Sequence, residues 1–129
     1  MIKQLRILST VLLAFAVAQA GLGSGIIEDG GPLKIAHLTN AFAVLVLTIL
    51  SAVFGFSLRR SGGPQWTFFL PLALVLMAGV QLSLGLAEIK EFHVFWGVLY
   101  LCTVTTFCSY SWRLQPSAVS AKPATSTNQ

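Results

Sequence analysis

The chain contains two histidines, His37 and His93, and each follows the same short text. That text, Ala-x-x-Gln-x-x-Leu-Gly, covers residues 16–23 and again 78–85, and Ile27 matches Ile89 in the same register. The glutamines Gln19 and Gln81 are 62 residues apart (81 − 19) and the histidines 56 (93 − 37), so the connection between them is shorter in the second copy. A neutral imidazole presents one ring nitrogen as a lone pair. Two of them at one depth on different helices are what bis-histidine haem ligation requires, because the iron takes one nitrogen on each face of the macrocycle. Zinc or copper would want a third and fourth ligand, and the sequence offers none in register. The alternative is that each imidazole hydrogen-bonds a carbonyl or a loop at a membrane surface.

The elements that must carry these residues are membrane spans. Of 129 residues, 55% are hydrophobic and 9% charged, against roughly 25% charged in a soluble domain. Residues 7–27, 35–58, 61–87 and 92–112 carry no charge, and each run is at least 21 residues long. About 20 helical residues cross a hydrocarbon core of ~30 Å. Helix is the required form, since only intra-segment hydrogen bonds or a closed barrel satisfy a backbone in lipid, and four strands cannot close a barrel. The sequence therefore predicts an all-α membrane protein, a four-transmembrane-helix up-down bundle built from two helix-pair repeats. The helices should run over about 5–27, 35–58, 64–87 and 92–112 within one domain, 1–114. Breaks fall at Gly30, Gly31 and Pro32, from Arg59 to Pro64, and from Glu88 to Glu91. The Ser-, Thr-, Ala- and Pro-bearing segment 115–129 reads as a disordered cytoplasmic tail.

Once the spans alternate, Lys3, Arg6, Arg59, Arg60, Arg113 and Lys122 share one side without any acid. Lys34 and Lys90 lie on the other with Glu28, Asp29, Glu88 and Glu91. The positive-inside rule makes the first side cytoplasmic, with both termini there, in the cell membrane of a prokaryote. The net charge of +4 then reflects topology and excludes a nucleic-acid reading. Lys3, Arg6 and the triplet Ala18-Gln19-Ala20 also fit a cleavable signal peptide. Apolar character to Ile27 and the repeat argue for a retained helix.

Helical spacing gives each histidine a face: His37, Ala41, Val44, Thr48, Ser51, Gly55 on one helix, and His93, Gly97, Tyr100, Val104, Cys108, Ser111 on another. Ala16, Gln19 and Gly23 share a face, as do Ala78, Gln81 and Gly85. Such small and hydrogen-bonding residues pack helix on helix, and a bundle interior is the plainest account of them. Ala41 and Gly97, one turn inward of the histidines, would leave room for a flat macrocycle. Phe42, Phe92, Phe95, Trp96 and Tyr100 would pack on it or face lipid, and Lys34 and Lys90 would meet acidic substituents at the outer surface. Pseudo-symmetry predicts equivalent consequences for His37→Ala and His93→Ala. Cys102 and Cys108, six apart within one helix, read as core packing. No phosphate loop, hydrolase triad or paired-acid site is present in the sequence.

Gln-x-x-Leu-Gly, then an outer loop, then a histidine opening the next helix, twice over, resembles one four-helix half of the haem A synthase family, which serves cytochrome oxidase assembly. The resemblance covers about residues 5–112 and points to a half-length form. It implies a b-type haem with His37 and His93 as axial ligands, haem O or haem A as substrate or product, a homo-oligomer, and respiratory oxidase assembly proteins as partners. Two features depart from the family pattern. Lys34 stands where the family's catalytic half has a glutamate three residues before the first histidine, and the outer-loop cysteine pair of many bacterial members is missing. Glu28 would take the catalytic role only if its loop folds back toward His37. The alternatives to a synthase-like oxidoreductase are a small b-type electron carrier and a haem-free assembly or structural subunit.

Overall fold

The computed structural model describes residues 1–29 and 31–115, the side chains of 26–29 excepted. Among the described residues four helices follow one another: α1 (Ile2–Asp29), α2 (Pro32–Arg60), α3 (Trp66–Leu86) and α4 (Lys90–Arg113). The shortest has 21 residues, about 30 Å of rise, and all four are long and apolar enough to cross a bilayer. Each packs on its chain neighbours, and α4 closes against α1. Contacts between the end of one helix and the start of the next, and between the start of α1 and the end of α4, make the order antiparallel, as expected of an up-down bundle. Large apolar side chains such as Ile35, Leu76, Phe92 and Val98 point away from the bundle on every helix. Surface of that extent and chemistry needs lipid for a solvent, and the chain is an integral membrane protein.

The helix ends depart from expectation in ways the turn chemistry explains. Pro32 does not break the chain but opens α2, because the first helical turn needs no N–H from it and its fixed φ suits the helix. At the other end of α2, Gly62 has φ 90°. Its N–H donates to the Arg59 carbonyl, and the Gly63 N–H to that of Leu58, both at 3.0 Å, closing the helix by a left-handed cap. The α3–α4 turn has the same pattern with Glu88, at φ 56°, in the left-handed position. That position costs a non-glycine residue roughly 1 kcal/mol. Lys34 reaches the Glu88 carboxylate at 3.5 Å, both side chains largely exposed. The expected disordered tail lies, Gln115 apart, outside the described residues.

Small residues set the helix spacing, as lipid supplies no hydrophobic drive between helices. Thr48, Ser51, Thr67 and Ser111 are fully buried. Thr48, Ser51 and Ser111 each donate to the carbonyl four residues back. Pro71 lies inside α3 and supplies no N–H to the carbonyl of Thr67. Gly55 of α2 packs on that freed carbonyl so closely that a Cβ at 55 would overlap it. Gly55→Ala should therefore lower stability by about 1–3 kcal/mol, the usual cost of overpacking. Thermal unfolding in detergent measures it, and an unchanged midpoint would contradict this packing. At the same end Arg6 donates to the carbonyls of Leu114 at 2.8 Å and Ser111 at 3.3 Å. It thus caps α4, whose terminal carbonyls have no helical partner. Trp112 lies against Arg6, and Phe68 and Phe69 against Arg59.

Candidate functional site

At the opposite end of the bundle the two glutamine-histidine pairs meet. The α2 face bearing His37 is buried at Val44, Thr48, Ser51 and Gly55, and the α4 face bearing His93 at Tyr100, Val104, Cys108 and Ser111. Both faces thus point inward. They lie diagonally across the bundle and carry the two half-buried imidazoles to one level, ring centres 6.0 Å apart and planes at 64°. Each ring bonds to the glutamine of the helix before it: Gln19 Nε2 to His37 Nε2 at 3.0 Å, and Gln81 Nε2 to His93 Nε2 at 3.3 Å. Gly23 and Gly85 let the rings in, for a Cβ there would stand 3.2 Å from His37 Cε1 and 3.0 Å from His93 Cε1.

The hydrogen bonds assign the protons. His93 Nδ1 faces the Gln81 carbonyl at 3.0 Å, and a carbonyl only accepts, so Nδ1 carries the proton in the neutral ring. Nε2 is then a lone pair, accepting from the Gln81 amide. In the first half Asn40 Nδ2 donates to the Phe15 carbonyl at 3.0 Å and to Gln19 Oε1 at 2.6 Å. Gln19 must therefore present its N–H to His37 Nε2, which makes that nitrogen a lone pair as well. Both imidazoles hold Nε2 ready as a donor to an electrophile, the state a metal ligand needs.

The repeat extends to a residue pair of unlike type. Asn40 and Trp96 each lie three residues after their histidine. Asn40 donates to the Phe15 carbonyl and Trp96 Nε1 to that of Met77, also 3.0 Å, and these carbonyls are themselves 62 apart (77 − 15). The signal available in sequence was an N–H donor at that register rather than a shared residue. The halves then diverge. Gln81 Oε1 is buried without a partner, whereas Gln19 Oε1 accepts from Asn40 Nδ2. Two turns inward of His93, the buried Tyr100 hydroxyl meets the Thr48 hydroxyl at 2.7 Å, across the same diagonal. These two are not repeat equivalents, since Thr48 corresponds to Val104 and Tyr100 to Val44.

The remaining candidates are distributed as follows. Ala41 is half-buried on the His37 face. Gly97 faces the Gln81 amide, whose nitrogen would lie 2.9 Å from a Cβ at 97, so the space at Gly97 already receives that side chain. Lys34 pairs with Glu88, and Lys90 is exposed beside the turn. The backbone of Glu28 belongs to α1, and its side chain lies outside the described residues. Phe42, Phe92 and Phe95 are exposed, leaving Trp96 and Tyr100 as the inward aromatics. Cys108 is buried, but Cys102 is exposed and not core packing, because it lies off the His93 face of α4. Among the described residues no three His, Cys, Asp or Glu side chains converge, so the donor set is two imidazoles. No family model, curated protein or solved structure matches the chain.

Proposed function

We propose that the chain is a membrane-embedded bis-histidine haem protein, resembling a half-length haem A synthase and serving haem A biosynthesis or cytochrome oxidase assembly. The observation that carries this is the 6.0 Å between imidazole centres. Two imidazoles joined to one metal through bonds of about 2 Å have their centres roughly 6 Å apart. Gln81 Oε1 adds a buried polar atom without a hydrogen-bond partner at the same site. The donors fit a haem iron, and His37 and His93 would hold it; bound there, it would supply one-electron chemistry. Gln19 and Gln81 keep both Nε2 atoms unprotonated and hold the rings until ligation replaces their bonds. Gly23 and Gly85 admit the rings to the axis of the bundle, and the Thr48–Tyr100 bond closes the site on the inner side.

The four arginines of the opposite end lie on the cytoplasmic face by the positive-inside rule, which puts the histidine end outside. Reporter fusions after Arg60 and after Gln115 should both read cytoplasmic, and an outside reading at either would overturn the orientation. The haem reading is tested by extracting the pigment from protein purified in mild detergent with haem supplied. One haem per chain is expected; a stoichiometry near zero would sink the proposal. A haem-free structural subunit is the second reading, favoured by the glutamine amides that already satisfy both Nε2 atoms. In cells, a synthase-like activity would need a second chain, because one chain holds one histidine pair.

A further inference from the structure

The arginines at the bundle end opposite the histidines are used in two different ways. Arg6 turns its donors inward, to the Leu114 and Ser111 carbonyls. Arg59 and Arg60 make no side-chain hydrogen bond and no ion pair among the described residues. The last α2 carbonyls do not need them, for the N–H groups of Ser61, Gly62 and Gly63 already donate to Ser57, Leu58 and Arg59. The Arg59 guanidinium lies instead over the rings of Phe69 and Phe68, 4.7 and 5.7 Å from their centres, and that of Arg60 over Phe56 at 5.7 Å. These rings form one row across the α2–α3 seam, Phe56 to Phe68 at 5.2 Å and Phe68 to Phe69 at 5.4 Å, with Phe56 and Phe69 exposed. The dipole of α2 accounts for a cation in its last turn, but not for one seated on the rings of the next helix. A guanidinium held by its face keeps its N–H edge for an oxyanion. The chain's own four acids belong to the histidine end, in the last turn of α1, the α3–α4 turn and the first turn of α4.

We propose that Arg59, Arg60 and the row of Phe56, Phe68 and Phe69 form a binding site for an anionic phospholipid, the arginines taking its phosphate and the exposed rings an acyl chain. Cationic edges and apolar rings meet here where two helices leave the hydrocarbon, and a phospholipid offers a phosphate and a hydrocarbon chain together. The site needs neither haem nor the histidines, which lie at the far end of the bundle.

The test titrates phosphatidylglycerol, with phosphatidylcholine in parallel, into the full chain in neutral detergent and counts bound lipid by native mass spectrometry, with circular dichroism as the check on folding. Phosphatidylglycerol should bind about 10-fold or more tightly than phosphatidylcholine, and Arg59→Gln/Arg60→Gln should abolish that preference. Lys3→Gln/Arg113→Gln removes the same charge from the same end, at two exposed positions, and should keep it. Arg59→Lys retains the charge without the ring-held fork and should weaken binding severalfold. Equal losses in the two double variants, or unchanged binding by Arg59→Lys, would show an attraction of net charge alone and overturn the site. A wild type that does not prefer phosphatidylglycerol overturns it as well. Inorganic phosphate at millimolar concentration should leave the lipid bound, and displacement by it would make the ligand a free anion and overturn the lipid assignment.

Discussion

Gly85→Val should cut haem retention by roughly 30-fold, the equivalent of about 2 kcal/mol of overpacking, while both histidines remain in the chain. A Cβ at 85 would stand 3.0 Å from His93 Cε1 and 3.2 Å from Nδ1, and valine adds two methyl groups beyond it. The ring must then swing off the Gln81 carbonyl, its only support that does not involve Nε2. Gly79→Val on the same helix is the matched control, because nothing lies within 4 Å of a Cβ there. Haem-to-protein ratios of the two variants, at equal helicity by circular dichroism, give the comparison. Equal ratios would mean that the His93 ring position does not matter to haem.

An all-or-none effect is expected for catalysis. In cells lacking their own synthase, this chain should hold haem without converting haem O to haem A, and Glu28→Ala should leave the haem spectrum unchanged. The physical reason lies at position 34, one turn before His37, where the chain has a lysine paired with Glu88 and the haem A synthase pattern it resembles has a glutamate. Detection of haem A that disappears with Glu28→Ala would contradict this and make Glu28 catalytic.

Much of the bundle was legible because charge and small-residue spacing are direct consequences of a lipid solvent. The four spans and the inward faces of α2 and α4 follow from period and repeat alone, whereas the bonds of Gln19 to His37 and Gln81 to His93 do not, because a repeated register gives equivalence between halves and not contact within one. Sequence missed what depends on geometry between unlike residues. Asn40 and Trp96 do the same work with different side chains, so identity matching passed over them. Pro71 and Gly55 act jointly, one freeing a carbonyl and the other admitting it, and neither is informative without the α2–α3 register. Pro32 suggested a break although the first helical turn accepts it.

A reduced-minus-oxidised absorption spectrum of the purified chain, recorded beside that of the double variant His37→Ala/His93→Ala, reads haem ligation by the histidine pair itself. Sharp alpha and Soret bands of a low-spin, six-coordinate haem are expected in the wild type and should be lost in the double variant. Bands of equal shape and intensity in both proteins, or none in the wild type after haem supplementation, would contradict that ligation.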